Sequence, residues 1–96
     1  MDEIVFDSDP NKAAYNIRKH GVSFAEAQDV FFDDKALFMN DPDHSDLEDR
    51  FLILGMSRKA NILTVCHCFR ENDLKVRIIS ARKANRRERN LYFQRR

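Results

Sequence analysis

Three apolar segments follow one another through the second half of this chain with only short polar links between them. They are Arg50 to Met56 (RFLILGM), Ile62 to Phe69 (ILTVCHCF) and Leu74 to Ser80 (LKVRIIS). Each is rich in β-branched and aliphatic residues, as strands require. The links, Ser57 to Asn61 and Arg70 to Asp73, are of hairpin length, which predicts an antiparallel meander. In the last segment alternation puts Leu74, Val76 and Ile78 on one face and Lys75, Arg77 and Ile79 on the other. The apolar face is expected to meet the remaining elements, which leaves the Arg77 face for a ligand.

A basic helix follows this strand at once. Asn85 and Glu88 stand at the spacing of a capping box, each able to satisfy the other's backbone N–H. From Lys75 onward the cations are Lys75, Arg77, Arg82, Lys83, Arg86, Arg87, Arg89, Arg95 and Arg96, and the one acid is Glu88. A buried strand that delivers so many guanidinium groups to one region points to a polyanion partner. A solvated surface helix is the alternative on composition alone.

The first half reads as helices ahead of a further strand. Glu3-Ile4-Val5-Phe6 is a short candidate strand. Asp9 before Pro10 predicts a helix start, a carboxylate cap followed by proline in the first turn. That helix runs through Ala13, Ala14 and Ile17 to His20. Gly21 ends it in a left-handed cap, with Val22 folding back on Ile17. Ser23 and Glu26 open a second helix with a capping box, and Phe24, Ala27, Val30 and Phe31 form its apolar stripe. The two helices are expected to pack as a hairpin, with Phe24, Phe31 and Phe32 in the core. Ala36 to Met39 reads as a strand, and Asn40 to Asp46 as a polar loop. The fold class is therefore α+β: an antiparallel sheet of four to five strands against an N-terminal helical hairpin, with a C-terminal basic helix.

Ninety-six residues, 43% of them apolar and 34% charged, predict one globular domain over 1–96 with a single modest core. The formal net charge of +1 hides an asymmetry. Between Glu26 and Asp49 the acids are Glu26, Asp29, Asp33, Asp34, Asp41, Asp43, Asp46, Glu48 and Asp49, against Lys35 alone. The middle is as acidic as the end is basic. The N-terminus, MDEIVFDSD, is acidic where a secretory leader needs a basic start, and no apolar run approaches the roughly 18–20 residues of a membrane span. A cytoplasmic protein without a membrane partner is expected.

Few residues can carry chemistry. Cys66 and Cys68 project to one face of their strand and His67 to the other, with no second ligand pair at zinc spacing, so buried thiols are expected and no metal. Two glycines leave no phosphate-cradling loop and no nucleophile elbow, and no cofactor is expected. His20 ends a helix, where the dipole favours a protonated imidazole; it is either a cap or an acid–base group. His44, in the acidic loop, is an acid, a base or a solvated side chain. Glu48 and Arg50 flank the start of a strand, where a local ion pair competes with a role in a site. Tyr92 either packs on the sheet or stacks on a base. Arg77 and Arg82 are held firmly by the sheet, and planar guanidinium forks so held suit phosphate oxygens.

The segments KHGVSF (Lys19 to Phe24), DPDHS (Asp41 to Ser45), EDRF (Glu48 to Phe51) and RIISARKANRRERNLY (Arg77 to Tyr92) together resemble the BrnT family, the toxins of type II toxin–antitoxin pairs. The resemblance runs from Phe6-Asp7 to Tyr92 in the expected order. Phe6 stands where many members carry tryptophan. The resemblance implies a RelE-like fold and a ribonuclease that arrests translation. It also implies neutralisation by a BrnA-like ribbon-helix-helix antitoxin, in a heterotetramer that represses its own promoter DNA.

A ribonuclease without a metal needs a base for the ribose 2′-hydroxyl, cations for the crowded phosphorane and an acid for the leaving oxygen. The expected cationic clamp is Arg77 and Arg82. His20 is the first candidate for acid or base, with Glu48 or His44 as its counterpart. Lys19, Arg50, Lys83, Arg86 and Tyr92 are expected to hold the flanking RNA. Two other classes stay open: a non-catalytic nucleic-acid-binding module, and a toxin of this fold acting on another target such as gyrase.

Overall fold

The computed structural model describes residues 4–41, 49–72 and 75–94. Its five strands are β1 (Val5–Asp7), β2 (Leu37–Asn40), β3 (Phe51–Met56), β4 (Ile62–Arg70) and β5 (Lys75–Lys83), in one sheet of order β1-β5-β4-β3-β2. From β2 to β5 each strand pairs antiparallel with the next, which is the expected meander. The sheet is nevertheless mixed, because β1 lies parallel to β5 with Asp7 opposite Arg77. No hairpin joins these two strands, so their direction is set by tertiary packing. The parallel course carries the chain out beside Arg77, toward the part of β5 on which the first helix is anchored. The expected strand ends Glu3 and Leu74 lie outside the described residues.

The helices are α1 (Pro10–His20), α2 (Phe24–Gln28) and α3 (Arg86–Gln94). Asp9 caps α1 by accepting from the Asn11 N–H at 2.8 Å, and Gly21 ends it at φ +70° with its N–H on the Ile17 carbonyl. Ser23 accepts from the Glu26 N–H at 3.0 Å to open α2. The second helix is shorter than its stripe predicts. At Asp29 it tightens into a 3-10 turn, Asp29–Phe32. Three residues per turn rotate the last side chains away from the α-helical stripe. Phe24, Ala27 and Val30 are buried, whereas Phe32, expected in the core, is 65% exposed.

α1 and α2 both pack on β5, on the sheet face that carries Ile53, Leu63, Val65, Ile78 and Ala81. The anchor of α1 is polar. Asn16, 3% exposed, donates to the Val22 and Ala81 carbonyls and accepts from the Ala81 N–H. Buried amides hold a position only when satisfied this way, and Ile17, on the other side of the helix, is left exposed. Gly55 on β3 lets the 3-10 turn approach: a Cβ there would lie 3.0 Å from the Cβ of Val30. α3 packs on the opposite sheet face, where Tyr92 joins Leu54 and Ile62.

The acidic middle of the sequence does much of the joining. Glu26 accepts from the Ser57 hydroxyl at 2.6 Å and the Asn61 amide at 2.8 Å, and Asp29 accepts from the Arg58 N–H. Asp33 accepts from the Met56 N–H at 2.8 Å and the Tyr92 hydroxyl at 2.6 Å. Three acids thus bind the β3–β4 turn and α3 to the helical layer. Burial works against the charge of Glu26 and Asp33, but these donors outweigh it and hold both carboxyls below their ordinary range.

Candidate functional site

The arginine-bearing face of β5 depends on an irregularity. Cys68 pairs with Arg77 and His67 with Ile78, but Cys66 pairs with Ser80, so Ile79 is an extra residue in the ladder. Strict alternation would send Arg77 and Arg82, five apart, to opposite faces. The bulge restores Arg82 to the Arg77 face. Arg77, Ser80 and Arg82 therefore stand opposite Cys68, Cys66 and Thr64 on one side of the sheet.

Each arginine is held by a carboxylate. Arg77 donates from Nε and Nη2 to Asp7 Oδ2 at 3.0 and 2.7 Å. That hydrogen bond lowers the Asp7 carboxyl and raises the Arg77 guanidinium relative to their ordinary values. Arg82 meets Glu88 end-on, Nη1 to Oε1 at 2.8 Å and Nη2 to Oε2 at 3.0 Å. Glu88 also accepts from the Thr64 hydroxyl and the Asn85 N–H, each at 3.0 Å, while Asn85 accepts from the Glu88 N–H at 2.8 Å. The expected capping box is thus complete, and its acid has a second task. Burial would raise the Glu88 carboxyl, but Arg82, Asn85 and Thr64 together pull it below its usual range. The Glu88 bond likewise raises Arg82.

The guanidinium groups are fixed without being used up. A guanidinium carries five N–H donors, and each carboxylate takes only part of them. The two side chains remain 35% and 40% exposed. Planar forks with an unspent edge can take phosphate oxygens bidentately.

The two thiols on this face are inert. Cys66 donates to Asp41 at 3.6 Å, and burial, helped by Asp41, pushes it up to about 12. Cys68 is 2% exposed. His67 points to the helical face, wholly buried among Phe31, Phe38, Phe51 and Phe69. Its Nδ1 lies 3.3 Å from the Val65 carbonyl and its Nε2 has no partner among the described residues. Burial pushes it toward the neutral imidazole. Among the described residues no group of three or more His, Cys, Asp or Glu could hold a metal ion.

The other sequence-predicted residues divide between the two sides. Arg50 precedes β3, and its carbonyl accepts from the N–H of Asp41, whose carboxylate accepts from Cys66 on the arginine face. Arg86 opens α3 on that same side, exposed beside Arg87 and Asn90. Lys83 pairs with Leu63 and acts on Glu26, so it belongs to the helical face. Lys19 and His20 end α1 on that helical side, and Lys19 Nζ lies 5.7 Å from the Tyr15 ring. His20 makes no hydrogen bond to Arg77 or Arg82 among the described residues. Tyr92 is 4% exposed with its hydroxyl on Asp33, so the ring packs and presents no face to a base. His44 and Glu48 lie outside the described residues. Periodicity gives no sign of Asp7 or Thr64 as anchors of this face. For Glu88 the signal was present in its capping-box spacing.

The fold is one that a bacterial ribonuclease toxin also adopts. The crystal structure of the Brucella abortus ribonuclease toxin BrnT, determined at 1.1 Å resolution, superposes with a TM-score of 0.62 at 24% identity, covering 90% of this chain and 100% of that one. Residues 9–88 match the family described as ribonuclease toxin, BrnT, of type II toxin–antitoxin system, and the chain belongs to that family. No curated protein matches the sequence. Membership implies an antitoxin partner. Among the described residues no helix is long and apolar enough to cross a membrane.

Proposed function

We propose that this chain is a cytoplasmic endoribonuclease that cleaves RNA without a metal ion and so inhibits translation. The observation that carries this reading is the pair of guanidinium groups, Arg77 and Arg82, held on one sheet face by Asp7 and Glu88. A guanidinium fixed before substrate arrives stabilises a phosphorane without reorganising at the moment of reaction, and a second one so fixed holds the strand. A base takes the 2′-hydroxyl proton, the oxygen attacks phosphorus, and the leaving 5′-oxygen is protonated. Asp7 and Glu88, held ionised, are not proton donors. His20, at the end of α1, is the first candidate for acid or base. Its counterpart in this reading is Glu48 or His44. Arg50, and Arg86 exposed at the start of α3, take flanking phosphates.

The partner in this reading is a BrnA-like ribbon-helix-helix antitoxin that forms a heterotetramer on promoter DNA. An acidic, amphipathic antitoxin segment suits the arginine face, and covering it blocks RNA. Incubation of a labelled RNA with the purified chain in EDTA tests the reading. Cleavage by the wild type, reduced about 100-fold or more in Arg77→Ala or Arg82→Ala, is expected. Binding without cleavage in EDTA identifies a non-catalytic module instead.

A further inference from the structure

The spacing and the tethers of the two arginines determine how many phosphates they can address. Their partners on β4, Cys68 and Thr64, are four residues apart. At a strand rise of about 3.3 Å per residue this separates the two arginine positions by about 13 Å. The tethers draw the side chains apart across the strand as well, because their anchors lie on opposite flanks of β5. Arg77 leans to Asp7 on β1, and Arg82 leans toward the β4 side, where Thr64 shares its carboxylate. One nucleotide repeat is six backbone bonds of about 1.5 Å, and its zigzag path cannot reach from one position to the other. Both arginines therefore cannot sit on one phosphorus while keeping their carboxylates.

We propose that Arg77 and Arg82 form two separate phosphate subsites, so that a single-stranded RNA lies along β5 and engages them with different, non-adjacent phosphates. This rests on the ribonuclease reading and deepens it. The scissile phosphate takes one guanidinium, and the other anchors the strand about two repeats away. The bulge at Ile79 places both subsites on one face, with Ser80 between them.

Fluorescence anisotropy with 2′-O-methyl oligouridylates, which lack the attacking hydroxyl, tests this on the intact chain. A pentanucleotide spans both subsites, and a dinucleotide offers a single phosphate. For the pentanucleotide, Arg77→Ala and Arg82→Ala each weaken binding about tenfold. Each also makes the salt dependence shallower by about 0.7 in log–log slope. For the dinucleotide neither single variant does more than halve the affinity, because the other subsite still accepts the phosphate; the double variant abolishes it. Arg82→Gln, whose amide can still donate to Glu88 but carries no charge, replaces the alanine variant if that one unfolds. Near-complete loss of dinucleotide binding in either single variant means a clamp on one phosphate and overturns the two-subsite proposal, leaving the ribonuclease reading intact. Failure of the wild type to bind any of these oligonucleotides overturns both.

Discussion

Thr64 and Arg82 face each other across the β4–β5 ladder, and both donate to the same carboxylate, Glu88. A nearly buried hydroxyl, a guanidinium and a helix cap thus converge on one side chain. Glu88 does not merely neutralise Arg82; it fixes where the guanidinium points. The same relationship recurs in smaller form at Asp7 and Arg77. These carboxylates make two flexible cations into rigid ones, at the only end of the sequence dense in positive charge.

Removing Glu88 should therefore affect stability and activity together. In Glu88→Ala the Thr64 hydroxyl, on a residue 2% exposed, and the first turn of α3 lose their acceptor. A loss of about 2–3 kcal/mol is expected from denaturant unfolding. RNA cleavage should fall further than the stability loss explains, since Arg82 is released. The carboxyl also sets an acid limit. Its folded value lies below the ordinary 4.5, so its contribution is complete above pH 4.5 and disappears as pH falls through the folded value. Glu26 and Asp33 act in the same direction. Thermal midpoints should decline below about pH 4.5, less steeply in Glu88→Gln.

His67 should produce a separate transition at milder pH. Burial among aromatic rings holds its folded value below the ordinary 6.5, so protonation favours the unfolded chain. The stability of the neutral form is complete above pH 6.5 and decreases as pH falls from there toward the folded value. Melting curves of the wild type should show this decrease as pH falls below 6.5. His67→Phe, which removes the titrating ring and the Nε2 that has no partner among the described residues, should lose this step below pH 6.5.

Gly55 is a test of packing between β3 and the 3-10 turn. An added Cβ meets Val30 Cβ at 3.0 Å, the Val30 carbonyl at 3.2 Å and Ala36 Cβ at 3.3 Å. Gly55→Ala should destabilise the chain by about 1–3 kcal/mol, measured by urea unfolding. The larger Gly55→Val should cost more. Both should leave the residual folded fraction able to bind RNA, because the opposite sheet face is untouched.

The meander, the caps and the strand-to-helix junction were legible because they are local. Short links, alternation and capping spacings are properties of a few neighbouring residues, and the Asn85–Glu88 box appears in the structure as its spacing predicts. What the sequence hid was long-range. Nothing local says that β1 runs parallel to β5, or that Asp7 lands beside Arg77, 70 positions away. The bulge at Ile79 was equally invisible, since LKVRIISARK keeps its β-rich composition whether or not one residue is extra. The acids of the middle segment read as bulk charge, yet Glu26, Asp29 and Asp33 are individual acceptors for the β3–β4 turn and for Tyr92. Tyr92 itself shows the limit of a motif: its position matched the family, but only the fold reveals that its hydroxyl is already held.

The most direct test of the arginine face is induction of the chain in a bacterial host, with growth and total RNA followed together for the wild type and Arg82→Ala. The wild type is expected to arrest growth as RNA is lost. Arg82→Ala, at equal soluble level and with its unfolding midpoint within a few degrees, is expected to do neither. Growth arrest and RNA loss undiminished in Arg82→Ala would contradict the account, because the guanidinium fixed by Glu88 would then have no part in the chemistry.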